Sequence, residues 1–328
     1  MRAVTVNKPG GFDALELIDV AEPSPAEGEV LIDVAFCGCN WADTQIRAGI
    51  YPHPMEYPII MGFEASGTVL AVGEGVTGFK PGDRVCGMLP TGRGYAEQVT
   101  VDAAWLMHLP EAVSFETGAA FPIQALTAYH MLHTAYDLKA GETVLIHAAG
   151  GGVGLAAIQL VKLAGATPIG TVGTPGKEVK ALDYGAVEVV NLNDAEQDFV
   201  ASVMARTGGA GADLALDSLG GNALERTFDA VKFLGHIINY GEGEATPHNN
   251  IRERVMLRSQ HFNRFTIFHV FPGTPAFERG NAYVLEALAA GRLEIQVVAT
   301  FPLEQAGAMH QLLEGRSVSG KLLLSMQD

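Results

Sequence analysis

The sequence predicts an α/β protein in which a β-rich, partly open barrel is followed by a doubly wound parallel sheet. Two observations carry this expectation. The stretch 143–164, TVLIHAAGGGVGLAAIQLVKLA, passes from a short apolar run through a cluster of glycines into an almost wholly apolar helix. The rhythm of the chain also changes near Ser114, from short strands parted by turn residues to strands alternating with helices.

Within that stretch Thr143 to Ile146 reads as a buried parallel strand, and His147, Ala148 and Ala149 leave it. Gly150, Gly151, Gly152 and Gly154 follow, with Val153 between them, and the helix is expected over 155–164. Its only polar residues, Gln159 and Lys162, are three apart and share one face. Without Cβ atoms the backbone can turn sharply and approach a pyrophosphate, while the open N–H groups and dipole of the helix N-terminus favour negative charge. Read strictly, the motif is Ala149-x-Gly151-x-x-Gly154, with alanine in place of the first glycine of G-x-G-x-x-G. Strand, glycine loop and helix together point to dinucleotide binding by Ala149, Gly151, Gly152, Val153 and Gly154. The alternative is a glycine turn in another cofactor-crossing α/β domain, such as a methyltransferase.

Before this stretch, strands are expected over 2–6, 29–38, 67–72, 83–88 and 96–101, separated by Pro9-Gly10-Gly11, Pro23-Ser24-Pro25 and Pro81-Gly82-Asp83. Ser114 is a candidate helix cap, and 124–134 reads as a helix. From Thr143 onward strands are expected over 143–146, 167–172, 188–191, 214–217, 237–240 and 265–269, with right-handed crossovers. A helix over 276–290, a strand near 295–301, a helix over 303–313 and a strand over 321–325 are too few for a third domain and are expected to complete the first. The expected division is therefore 1–123, 124–268 and a return over 269–328.

Composition narrows the functional classes. The 328 residues allow two domains and a large core, and no run approaches the twenty apolar residues of a membrane span. The opening MRAVTVNKPGGF has no long apolar run, and three cysteines make no disulfide framework, so a reduced, cytoplasmic protein is expected. A net charge of −16 argues against a nucleic-acid partner.

Further residues form an ordered set. Gly28-Glu29-Val30-Leu31 is followed by Asn40-Trp41-Ala42-Asp43, Arg47-Ala48-Gly49, Gly62-Phe63-Glu64 and Ser66-Gly67. Then come Val72-Gly73, the run from Gly78 to Val85, Gly94-Tyr95-Ala96-Glu97, Leu126-Thr127-Ala128-Tyr129 and the glycine loop. Over nearly its whole length the chain resembles the medium-chain dehydrogenase/reductase superfamily, and within it the zinc-free quinone oxidoreductases related to zeta-crystallin. The resemblance implies a GroES-like substrate domain, a Rossmann cofactor domain, an active site in the cleft between them, and a homodimer.

In the zinc alcohol dehydrogenases of this superfamily a cysteine matches Asn40 and a histidine matches Phe63. Phe63 cannot ligate a metal and Asn40 is a poor zinc ligand, so no metal is expected. Cys37 and Cys39 alternate onto one strand face without further ligands, and His130 and His133, three apart on a helix, also lack them; packing is the expected role of all four.

The cofactor expected is NADPH. An NAD site places a carboxylate at the end of the second strand, but this chain reads Thr171-Val172-Gly173-Thr174-Pro175-Gly176-Lys177 there. Nothing in it repels a 2′-phosphate, and Lys177 matches the lysine that relatives use. A tyrosine that helps hold the phosphate in relatives is replaced by Leu192, and Arg316 matches a basic residue near the same phosphate. The resemblance adds Thr127 beside the nicotinamide amide; Gly173 at the end of the second strand, and Ser218, Tyr240 and Gly241 at the carboxyl ends of the fourth and fifth, stand where cofactors cross such sheets.

The expected activity is reduction of a quinone or another α,β-unsaturated carbonyl by hydride transfer. Asn40 and Tyr51 are the candidates to meet the substrate oxygen, and Asp43 and Arg47 are expected to brace the site as an ion pair. Alternatives are a 2-alkenal or enone reductase that does not use quinones, and an NADPH-binding protein without turnover, as among lens and vesicle-associated relatives.

Overall fold

The structure is a computed structural model that describes residues 1–52, 55–243 and 250–326. The chain divides into two compact units, one made of Met1–Gln124 with Phe271–Asp328, the other of Ala125–Val270.

The first unit begins with β1 (Arg2–Val6), β2 (Leu15–Asp19) and β3 (Glu29–Cys39). Helix α1 (Trp41–Ala48) follows, then β4 (Ile59–Ile60), β5 (Glu64–Val72), β6 (Arg84–Met88), β7 (Gln98–Asp102), β8 (Leu106–His108) and α2 (Phe115–Ala120). Ser114 caps α2 as expected, accepting from the backbone of Thr117. Helix α3 (Pro122–His133) leads into the second unit.

The second unit contains β9 (Thr143–Ile146), α4 (Gly152–Leu163), β10 (Thr167–Val172), α5 (Lys177–Asp183), β11 (Glu188–Asn191) and α6 (Phe199–Arg206). It continues through β12 (Ala212–Asp217), α7 (Gly221–Ala230), β13 (Val231–Asn239), α8 (Ile251–Arg258) and β14 (His261–Arg264). The six strands are parallel in the order β11-β10-β9-β12-β13-β14, so the order reverses at β9. Leu145, Ile169, Phe199, Ala215, Leu224, Phe228 and Ile237 pack the sheet against its helices.

The chain then adds α9 (Pro275–Ala289), β15 (Val297–Pro302), α10 (Ala306–Glu314) and β16 (Lys321–Ser325) to the first unit. β16 lies antiparallel to β3 and parallel to β15, within the order β15-β16-β3-β5-β6-β8; β7 also pairs with β3. β3 is the hub of this sheet, and its buried residues run from Val30 to Cys39.

Two readings need correction. The last parallel strand is β14, His261–Arg264, and not 265–269; after Phe265 the chain turns into a short 3-10 segment, Ile267–His269. β14 is an edge strand whose residues, His-Phe-Asn-Arg, are mostly polar and exposed, so the apolar stretch after it carried the misleading signal. The helix after the glycine loop begins at Gly152 rather than Leu155, since the glycines themselves supply its first turn.

Candidate functional site

The glycine loop is shaped by what surrounds it. His147, fully buried as β9 ends, bonds Thr171 Oγ1 through Nδ1 and Thr227 Oγ1 through Nε2, each at 2.8 Å. Thr227 gives its own hydrogen to the Ala223 carbonyl, so Nε2 donates to Thr227 and Nδ1 accepts from Thr171. Burial holds this histidine below its ordinary pKa, and it serves as a neutral strut across β9, β10 and α7. Ala148 then takes a positive φ of 50°, and Gly151 caps α4. The N–H groups of Gly152, Val153 and Gly154 open the helix without an acceptor among the described residues.

The glycines divide the work. A Cβ on Gly151 would meet only the Ala148 carbonyl, at 3.3 Å, so the space beside it is open. A Cβ on Gly154 would strike the same oxygen at 2.5 Å and Ala149 Cα at 2.7 Å, so Gly154 serves helix-to-strand contact instead. Gly150 is backed by Lys177, whose Cβ would lie 2.8 Å from an added methyl. The root of Lys177 is therefore beside the loop, at the start of α5. At the end of β10, Asn193 Nδ2 bonds the carbonyl of Gly173 at 2.5 Å, and no carboxylate occupies 171–177. Leu192 is half-buried against the sheet core.

Beyond β12 and β13 the buried Asp217 carboxylate accepts from Leu219 N, Gly220 N and Asn239 Nδ2. These bonds hold the two strand-end turns together, where a Cβ on Gly241 would lie 2.9 Å from the Ser218 carbonyl. Ser218 Oγ is buried yet makes no well-formed hydrogen bond among the described residues. The Tyr240 phenol beside it is pushed up to about 12 by burial and stays protonated. Open helix-terminal donors, room at Gly151 and the Ser218 hydroxyl fit a dinucleotide.

In the first unit Asn40 ends β3 and caps α1. Its backbone N–H donates to Asp43 Oδ2 at 2.7 Å. The residue is 6% exposed, and its side chain is turned into a polar cluster: Nδ2 donates to Glu64 Oε1 at 2.6 Å, while Oδ1 accepts from Lys321 Nζ at 2.7 Å and from Gln124 Nε2 at 3.4 Å. Glu64 also accepts from Lys321 Nζ through Oε1 and from Ile123 N through Oε2. Asp43 and Arg47 form no direct pair. Asp43 keeps to the helix cap, with burial pushing its carboxyl up to about 7, and Arg47 reaches Glu314 at 2.7 Å.

The remaining candidates are divided between the two units. Tyr51 is half-buried in the loop after α1, and Arg316 stands after α10 with its guanidinium 5.5 Å from the Trp41 ring centre. Thr127 is buried on α3 in the second unit. Phe63, 6% exposed, offers no ligand atom; Cys37 and Cys39 are buried thiols, and burial raises both pKa values. His130 is buried and bonds Thr134 at 2.9 Å. Nothing local marks Lys321 as part of this cluster, since a lysine heading an apolar strand ordinarily reaches water.

Residues 26–111 match the alcohol dehydrogenase GroES-like domain family, and residues 152–289 match the zinc-binding dehydrogenase family. The chain is 33% identical to an Escherichia coli quinone oxidoreductase crystallised with NADPH, over 99% of this chain and 100% of that one, with a TM-score of 0.92. The chain belongs to the zinc-independent quinone oxidoreductases of the medium-chain dehydrogenase/reductase superfamily. Other members of this family include the human quinone oxidoreductase, 33% identical over 99% of this chain and 97% of its own. A 2-haloacrylate reductase from a Burkholderia species is 34% identical over 99% of both chains. In this family frame the GroES-like part is the first unit and the Rossmann part the second.

Proposed function

We propose that this quinone oxidoreductase homologue reduces quinones and related α,β-unsaturated carbonyls with NADPH and without zinc. The observation that carries the reading is the pairing of an open glycine loop with a β10 end that bears Lys177 and no carboxylate. When bound, NADPH supplies the hydride. Gly151, Gly152 and Val153 offer N–H groups to the pyrophosphate, Ala149 and Gly154 shape the turn, and Gly173, Lys177 and Arg316 serve the 2′-phosphate. Thr127, Ser218, Tyr240 and Gly241 are assigned to the rest of the cofactor.

An electron-poor double bond that takes a hydride at its β-carbon moves charge onto its carbonyl oxygen, and that charge needs a donor. Asn40 has one Nδ2 hydrogen with no partner among the described residues, and we assign it to this oxygen. Tyr51 is assigned to hold the substrate ring or to return a proton through its hydroxyl. We also propose a cytoplasmic homodimer: the cysteines are free thiols, and among the described residues no strand pairs with the outer edge of β14. No helix among the described residues is long and apolar enough to cross a membrane.

The similarity to a haloacrylate reductase favours a second reading, in which activated alkenes are preferred to quinones. One panel decides between them: NADPH absorbance followed with quinones, alkenals, 2-haloacrylate and alcohols after dialysis against a strong chelator. Turnover of quinones without added metal is expected. Turnover of alkenes alone selects the second reading, restoration by zinc overturns the metal-free mechanism, and NADPH binding without turnover makes the chain a binding protein.

A further inference from the structure

We propose that Lys321 is a positioning residue, a fixed internal cation that orients and polarises Asn40 for the substrate oxygen; this rests on the role given to Asn40 above. The register brings it there. β16 pairs with β3 as Leu322 with Cys39 and Leu323 with Gly38, so Lys321 falls beside Asn40 as β3 ends. Its side chain is wholly buried, as is that of Glu64. β3 gives up a side chain to admit them: a Cβ on Gly38 would lie 2.6 Å from Glu64 Oε1 and 2.7 Å from Lys321 Cε.

Lys321, Asn40 and Glu64 close a ring of three hydrogen bonds, from Nζ to Asn40 Oδ1, from Asn40 Nδ2 to Glu64 Oε1, and from Nζ to Glu64 Oε1. The ring fixes the amide in one orientation. Rotated by half a turn, it would set its NH2 against the ammonium and its oxygen against the carboxylate. A positive charge on Oδ1 also draws density from the amide nitrogen and strengthens the remaining N–H as a donor. Glu64 alone would repel a developing oxyanion at Asn40, and the ammonium cancels that repulsion. Stability is a weak reason for the pair, because apolar residues of similar size often replace a buried ion pair at no loss.

The test removes both charges together, so that no unpaired charge is left buried. Lys321→Met/Glu64→Met and Lys321→Gln/Glu64→Gln are compared with wild type, alone and in an Asn40→Ala background. Turnover is read with benzoquinone and methyl vinyl ketone, NADPH affinity by fluorescence, and folding by thermal unfolding. In the doubles kcat should fall about 10- to 100-fold, with KM and NADPH affinity nearly unchanged and the fold retained. In the Asn40→Ala background the same changes should add about twofold at most, because the effect passes through Asn40. A double that folds and keeps wild-type kcat overturns the proposal. So does an undiminished effect without Asn40, or loss of folding in both doubles, which would make the pair a staple of the fold. A wild type that binds NADPH but turns over neither substrate overturns the reading beneath the proposal, and the proposal with it.

Discussion

Ala149 and Gly170 are fitted to each other: a Cβ on Gly170 would stand 2.7 Å from the Ala149 methyl. The alanine that replaces the first glycine of the motif is thus admitted by a glycine on the neighbouring strand β10. Gly170→Ala should cost about 1–3 kcal/mol by overpacking. Ala149→Gly in the same chain should recover most of that loss. Chemical unfolding of both variants checks the pair, and independent losses that simply add would dissolve it.

The two motif glycines should fail differently. Gly151→Val meets open space, so the fold should survive while NADPH affinity drops by at least about tenfold, or roughly 1.4 kcal/mol. Gly154→Val would press against the backbone of Ala148 and Ala149, and the second unit should unfold at a lower temperature even without ligand. Calorimetric titration beside a thermal scan separates the outcomes. Equal thermal losses in both variants would mean that Gly151 is structural as well.

Lys177 should carry the preference for NADPH over NADH. Lys177→Ala is expected to weaken NADPH by about 1.5–3 kcal/mol, roughly one to two decades, and NADH little. Lys177→Glu should reverse the preference, and the effect should shrink with salt because the side chain is only half-buried. The root of Lys177 also backs Gly150, which offers a rival role. Equal losses for both cofactors would assign the residue to the pyrophosphate loop and remove it from the 2′-phosphate.

His310 makes stability depend on acid. It is fully buried, its Nε2 lies 3.1 Å from the Tyr95 hydroxyl, and burial first, then Arg47, lowers its pKa from 6.5 to about 3. The folded pKa lies below the unfolded one, so the unfolded chain binds the extra proton as pH falls below about 6.5, and stability is lost. Each such group contributes up to about 1.4 kcal/mol per pH unit across that window. His147 acts with the same sign; Asp43, raised to about 7, takes its proton in the folded state and acts with the opposite sign. His310→Asn should flatten the fall in unfolding free energy between pH 6.5 and 5, and Asp43→Asn should steepen it. Urea titrations at several pH values read both slopes, and an unchanged slope in His310→Asn would rule that residue out.

Much of the second unit is legible because its strands are apolar runs closed by turn residues. Strands 143–146, 167–172 and 188–191 fall where the structure has them, as does 321–325 in the first unit. β14 escapes a search for apolar runs because an edge strand need not be apolar; its only apolar residue, Phe262, stacks on Phe228. α1 is short, and its signals are local: Asp43 completes its cap and Gly49 ends it in the left-handed region. Lys321 was invisible in principle. Its partners Asn40 and Glu64 lie 281 and 257 residues away, and no local pattern encodes a contact of that span.

That span has a consequence for synthesis. The second unit is continuous in sequence, whereas the first is assembled from two distant segments. At about 5–20 residues per second, the ribosome needs roughly 13–50 s to pass from Glu64 to Lys321, 257 residues later. Through that interval β3 lacks its β16 neighbour and the Glu64 carboxylate lacks its countercharge. All six strands of the parallel sheet are therefore synthesised before Lys321 exists to complete its contacts with Asn40 and Glu64. β16 acts as a latch, and the ring of Lys321, Asn40 and Glu64 closes only when it pairs with β3.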